Sequence, residues 1–343
     1  MKIANWYGGK DFRIEDAPKP EIKNDEVLIA VKAASICGSE LHAYEGISKR
    51  REEVHGVPLV MGHEFSGEVA EVGKNVKNVA VGDRVAVNPI VTCGKCEQCM
   101  AGQTNICKNF RLLGLHVNGA FAEYVPIVAE NCYKIPDSMT FEEASLTEPC
   151  SVGVHAVNIT PLKLGDDVVV LGAGTIGLMA LQAAKLAGAG RIFATDTLDY
   201  RLDMAKKIGA DEVINAKNED PVEKIMELTD NGGVDAVLEA VGSETTVQQG
   251  LALLKKGKTM TVIGMMKKMM ELPMLDVSVK EVKIQGDYGY TKQDFISSLK
   301  LIATKKMNVK QTITHVLPLD DIAKGFELLA QKKENAIKVI VKP

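Results

Sequence analysis

The spacing of apolar positions changes near Pro149. Before that point they come in short runs cut by glycine and turn residues. Residues 27–31 follow Asn24-Asp25-Glu26, residues 68–72 end at Gly73, residues 84–87 lie between Asp83 and Pro89, and residues 120–125 follow Asn118-Gly119. Strands at this spacing, with turn signals between them, predict a small barrel-like β domain. From Asp166 onward, solid apolar runs alternate with helical stretches: 168–171 then 176–186, 192–195 then 200–208, followed by 236–240 and 259–263. Strands without alternation, each followed by a helix, predict a parallel sheet covered on both faces. After Gly286 the pattern predicts a helix over 291–305, a strand over 313–316, a helix over 319–331 and a strand over 336–341. The run Met265-Met266-Lys267-Lys268-Met269-Met270 reads as flexible apolar filler around a loop.

Composition narrows the class. The chain has 343 residues, 46% hydrophobic and 25% charged, as expected of a globular protein of two domains. The net charge of −4 lacks the basic excess of a nucleic-acid binder, and no Lys/Arg cluster reads as a membrane anchor. The longest uncharged run, 168–184, is short for a membrane span and holds three glycines. Residues 1–7 carry no apolar core of signal-peptide length. Seven cysteines in such a chain predict a cytoplasmic protein whose thiolates serve metal or chemistry.

Gly172-Ala173-Gly174-Thr175-Ile176-Gly177 fits the dinucleotide fingerprint, since it follows a predicted strand and opens a predicted helix. Gly172 permits the tight turn, Gly174 lets the backbone approach a pyrophosphate, and Gly177 lets helix and strand pack closely. The free N–H groups of the helix then hold the phosphates. Asp196, 19 residues after Gly177, is expected to accept from the adenosine ribose hydroxyls and to repel a 2′-phosphate. NAD is therefore expected over NADP, with Arg201 nearby as a counter-charge. Ile263, Gly264 and Met265 complete the expected cofactor-binding set.

Cys93, Cys96, Cys99 and Cys107 place four thiols within 15 residues. Four thiolates around one cation form a closed tetrahedral site with no open position, which suits a structural zinc. An iron–sulfur cluster and disulfides are the competing readings of the spacing. Cys37, His63, Glu64 and Glu148 are isolated, and one thiolate, one imidazole and one or two carboxylates can hold a second zinc with a position left open. Spacing alone does not force that grouping.

In the order they occur, the segments 37–42, 62–69, 93–107, 148–155 and 172–177 resemble those of the zinc-dependent medium-chain alcohol dehydrogenase family, and the match spans nearly the whole chain. Residues 141–155, together with 308–310 and 314–315, resemble the polyol and butanediol branch of that family. The resemblance implies an α/β chain with a GroES-like β-barrel catalytic domain over 1–150 and 288–343, a structural zinc lobe over 93–107, and a doubly wound Rossmann domain over 151–287. It implies NAD and two Zn2+ per chain, one catalytic and one structural. Cys37, His63 and Glu64 or Glu148 would bind the catalytic ion, directly or through water. Ser39 would accept the proton of the alcohol, and His42 would pass it to solvent through the nicotinamide ribose. The small-molecule substrate would be an alcohol, and the assembly a homodimer or homotetramer.

Two positions depart from the sorbitol dehydrogenases, which carry a tyrosine directly after the relay histidine and an arginine just before the tyrosine matching Tyr290. Ala43 and Gly289 stand there. Losing two polar contacts weakens recognition of a sugar alcohol. The expected reaction is hydride transfer between NAD and a secondary alcohol or short diol of the 2,3-butanediol kind, giving a ketone. A sugar-alcohol 2-dehydrogenase, an L-threonine 3-dehydrogenase and a non-catalytic NAD-binding sensor are the alternatives.

Overall fold

The computed structural model describes residues 1–264 and 269–343. Two compact units divide it. One comprises Met1–Pro149, Thr291–Lys305 and Val309–Pro343, and the other Cys150–Tyr290 and Lys306–Asn308.

The first unit is built on a seven-stranded sheet. Its strands run in the order Cys132–Lys134, Arg84–Val87, Glu64–Val72, Glu26–Ser35, Lys338–Lys342 and Ile313–Pro318, while Tyr124–Val128 also pairs with Glu26–Ser35. Neighbours are antiparallel except the last two strands, which run parallel. Val27, Ile29, Val31, Phe65, Val69, Val85 and Val87 line its core. The C-terminal helix Ile322–Ala330 sets Phe326 against Phe12, Tyr44 and Phe121, with ring centroids 4.7, 5.1 and 6.1 Å away. Burying one such ring contributes roughly 2–3 kcal/mol and holds the end of the chain to its beginning.

The strand expected over 120–125 begins later, at Tyr124. The N–H groups of Gly119, Ala120 and Phe121 instead donate to the carbonyls of Val60, Gly62 and Met61. The backbones meet so closely there that a Cβ on Gly119 would lie 2.1 Å from the Gly62 carbonyl oxygen. That tight crossing, rather than ladder pairing, decides the segment's shape.

The second unit is a six-stranded, all-parallel sheet. Its order is Glu212–Asn215, Ile192–Asp196, Val168–Leu171, Val234–Glu239, Leu254–Val262 and Lys283–Gly286. Val168–Leu171 is buried at every position, as a solid apolar strand between helix-covered faces must be. The order reverses between Val168–Leu171 and Val234–Glu239, so the loop after Leu171 sits at the switch point where such sheets bind ligands.

A charge cluster closes one end of this sheet. Asp235 accepts from Lys255 Nζ at 2.7 Å and from the Asp167 N–H at 3.1 Å, with Lys258 Nζ at 2.8 Å. Burial works to raise the Asp235 pKa, but the two lysines outweigh it and hold the group at about 2. A lowered carboxylate pKa gives stability that is fully present above about 4 and is lost as pH falls through about 2. Solvent screening trims the contribution to about 1 kcal/mol. Asp235→Asn is expected to lower unfolding stability by that amount at pH 7, and the gap should close as pH falls from 4 toward 2. Denaturant melts of both proteins across that range check it, and a gap independent of pH contradicts it.

Candidate active site

In the first unit, Ser35 and Glu64 face each other as paired residues of two antiparallel strands. Cys37 lies two residues beyond the end of one strand, Glu64 opens the other, and His63 immediately precedes it. Register alone therefore brings Cys37, His63 and Glu64 together, and one ligand atom from each lies within 4.8 Å of the others. His63 and Glu64 are buried, and Cys37 is half-buried.

The surrounding residues orient these three. Glu40 closes a capping box, taking the Cys37 N–H at 3.0 Å, and its other oxygen takes the Gly62 N–H at 2.8 Å. His63 Nδ1 lies 2.9 Å from that same oxygen, so the carboxylate fixes the ring and leaves Nε2 to ligate. Burial opposes charge on His63, yet the Glu40 and Cys37 charges outweigh it and hold its pKa well above the ordinary imidazole value. Glu64 is fully buried. One of its oxygens accepts from Ser35 Oγ and the Lys338 ammonium, while the other has no hydrogen-bond partner among the described residues. A buried carboxylate oxygen without a partner is costly, and a cation beside it removes that cost. A thiol, an imidazole and this carboxylate form a donor set that fits zinc and leaves a fourth position open.

Glu148 is buried in the first turn of the helix Thr147–Ile159 and is not part of the three-residue group. Ser39 Oγ lies 3.4 Å from Cys37 Sγ, in hydrogen-bond contact with the sulfur. His42, on the same short helix Gly38–Tyr44, is half-buried, and burial lowers its pKa, with Glu45 opposing that shift and Arg51 adding to it.

The four clustered cysteines meet as well. All four sulfurs lie within 4.8 Å of one another, and all are free. Cys107 Sγ lies 3.5 Å from Cys93 Sγ and 3.8 Å from Cys96 Sγ. Disulfide sulfurs would lie about 2 Å apart. Four sulfurs about 2.3 Å from a central ion in a tetrahedron lie about 3.8 Å apart. Backbone N–H groups of Cys99 and Lys108 pull the Cys96 thiol down to about 6, while burial pushes Cys99 up to about 12. A full set of thiolates there calls for a cation, and zinc fits.

In the second unit, Gly172 adopts a left-handed φ of 96°, and Gly174 caps the helix Thr175–Leu186. A Cβ on Gly177 would lie 1.8 Å from the Gly172 carbonyl oxygen, so only glycine lets the helix start this close to the strand. Ile176 lies in the first helical turn. Asp196 ends its strand, takes the N–H groups of Thr197 and Leu198 on one oxygen and that of Ala173 on the other, and faces Arg201 at 3.6 Å. Ile263 and Gly264 donate their N–H groups to the Glu239 carbonyl, at the same end of the sheet. Met265 lies outside the described residues. This end offers helix N–H groups to a pyrophosphate and a carboxylate to a ribose.

Residues 23–137 match the alcohol dehydrogenase GroES-like domain, and residues 175–304 match the zinc-binding dehydrogenase domain. The chain is 38% identical to a sorbitol dehydrogenase of Bacillus subtilis, over 100% of this chain and 97% of that protein. It is 39% identical to an L-threonine 3-dehydrogenase of Bacillus velezensis, over 100% and 98%. A crystal structure of 2R,3R-butanediol dehydrogenase from Bacillus subtilis superposes with a TM-score of 0.89 at 34% identity, covering 100% of this chain and 99% of that one. The chain therefore belongs to the polyol branch of the zinc-dependent medium-chain alcohol dehydrogenases, a family of alcohol oxidoreductases that use zinc and a nicotinamide cofactor.

Proposed function

We propose that this dehydrogenase oxidises a secondary alcohol or short diol of the 2,3-butanediol kind with NAD, releasing the ketone. The observation that carries the substrate reading is the loss of two polar side chains. Ala43 is buried among apolar residues, and Gly289, at a φ of 61°, offers none. Without those two side chains the chain has fewer hydrogen-bond partners for the further hydroxyls of a sugar alcohol, and with them it loses a means of preferring one.

When bound, zinc supplies a Lewis acid that lowers an alcohol's pKa, and the nicotinamide supplies the hydride acceptor. Cys37, His63 and Glu64 hold the catalytic ion, with Glu148 outside that set. Ser39 Oγ takes the hydroxyl proton as it releases its own toward His42, which passes it on. Burial holds the His42 pKa below the ordinary imidazole value and so favours the neutral ring, the form that can take up a proton. Asp196 favours NAD by repelling a 2′-phosphate. Cys93, Cys96, Cys99 and Cys107 hold the second zinc and stiffen their loop. Seven free thiols support a reducing, cytoplasmic setting, and among the described residues no helix is long and apolar enough to cross a membrane. The assembly we propose is a homodimer or homotetramer.

Cys37→Ser is expected to remove turnover by about a thousandfold or more while the protein stays folded. Cys96→Ser is expected to lower the melting temperature and shed one zinc per chain. Thermal melts, metal content and NADH formation on both variants check this, and a fully active Cys37→Ser contradicts the ligand set. On a panel of alcohols with NAD, kcat/KM for 2,3-butanediol should exceed that for sorbitol by at least about tenfold. A preference for sorbitol or L-threonine overturns the substrate reading.

A further inference from the structure

Arg51 is 4% exposed, an unusual depth for a guanidinium outside any established role. It lies on the short helix Arg50–Val54. Its Nε donates to the Gly114 carbonyl at 2.9 Å and its Nη1 to the Ser39 carbonyl at 2.8 Å. Its Nη2 donates to Ser39 Oγ at 3.2 Å and lies 3.9 Å from a Glu40 oxygen. Two arms of one planar fork thus hold the backbone and the side chain of the same serine. We propose that Arg51 is the positioning residue that fixes the Ser39 hydroxyl for proton acceptance from the alcohol, an inference that rests on the proposed role of Ser39.

The argument is one of donor and acceptor capacity. A hydroxyl has one proton to give and two lone pairs to accept with. Arg51 has only donors, so it occupies one lone pair of Ser39 Oγ. The Ser39 proton rests against Cys37 Sγ at 3.4 Å and leaves Oγ toward His42 as the alcohol's proton arrives, so the hydroxyl stays neutral. One lone pair remains, and it is the one open to an incoming hydroxyl. Without Arg51, Oγ is free to turn among its rotamers and offers that lone pair only part of the time. The bond from Nη1 to the Ser39 carbonyl fixes the helical turn beneath it, so both ends of the serine are held. A lysine at 51 keeps the charge but cannot bridge both contacts, because an ammonium is a point and not a fork. The Glu40 contact gives the buried guanidinium its counter-charge.

A cycle of Arg51→Met, Arg51→Lys, Ser39→Ala and the Arg51→Met/Ser39→Ala double variant tests this, with 2,3-butanediol and NAD as probe. Zinc per chain and melting temperature are measured on each protein. Arg51→Met is expected to lower kcat by about tenfold to a hundredfold with KM changed far less, and with both zincs retained. Arg51→Lys, folded and metal-loaded, should lose nearly as much. In the Ser39→Ala background, the Arg51→Met loss should shrink to within about twofold, since the group it positions is gone. A merely structural arginine would give the same loss in both backgrounds, and that result overturns the inference. Activity loss that follows loss of zinc overturns it too, as does an Arg51→Lys variant with wild-type kcat. A fully active Ser39→Ala fails at the earlier step and removes the serine's role itself.

Discussion

The pairing of Ser35 with Glu64 across two antiparallel strands is the constraint from which the proposed catalytic cluster of Cys37, His63 and Glu64 follows. A slip of one residue would turn Glu64 to the opposite face of the sheet and separate it from Cys37 and His63. Register is strongly held here because Phe65, Val69, Val31 and Ile29 fill the core of the same sheet. The packing that stabilises the fold thus also sets the ligand geometry.

Charge compensation follows from that register. Placing Glu64 and Glu40 at full burial is unfavourable unless each meets a partner. Lys338 comes from the last strand to neutralise one oxygen of Glu64, and His63 and Arg51 gather on Glu40. The remaining Glu64 oxygen has no hydrogen-bond partner among the described residues, as the proposed ion there requires. The helix Ile322–Ala330, wedged in place by Phe326, leads into that last strand, so the C-terminal stretch serves both core and site. In the second unit the corresponding constraint is backbone proximity. Gly177 stands where no side chain fits, and the helix therefore begins against the strand with its N–H groups free.

Much of this was legible in local pattern. Solid apolar strands such as Val168–Leu171 announce a parallel sheet because both faces must be covered. The glycine fingerprint and the four clustered cysteines carry their chemistry within a few residues. The strand Glu212–Asn215 was not legible, since it presents only Val213 and Ile214 as apolar positions, nor was the exposed edge strand Lys283–Gly286. Grouping Cys37 with His63 and Glu64 needed the family resemblance, because strand register is not written in spacing. Lys338 and Arg51 gave no local signal: a buried cation is recognised by the anion it meets, and Lys338 lies 274 residues from Glu64. Glu40 did leave one, standing three residues after Cys37 as the closing residue of a capping box.

The central claim is that Cys37, His63 and Glu64 hold an ion distinct from the one in the tetracysteine loop. X-ray absorption at the zinc edge on the purified, metal-replete protein tests it most directly. Two zincs per chain are predicted, with sulfur neighbours at about 2.3 Å and a clear second population of nitrogen and oxygen neighbours at about 2.0–2.1 Å. A single zinc per chain with sulfur neighbours alone would contradict the account.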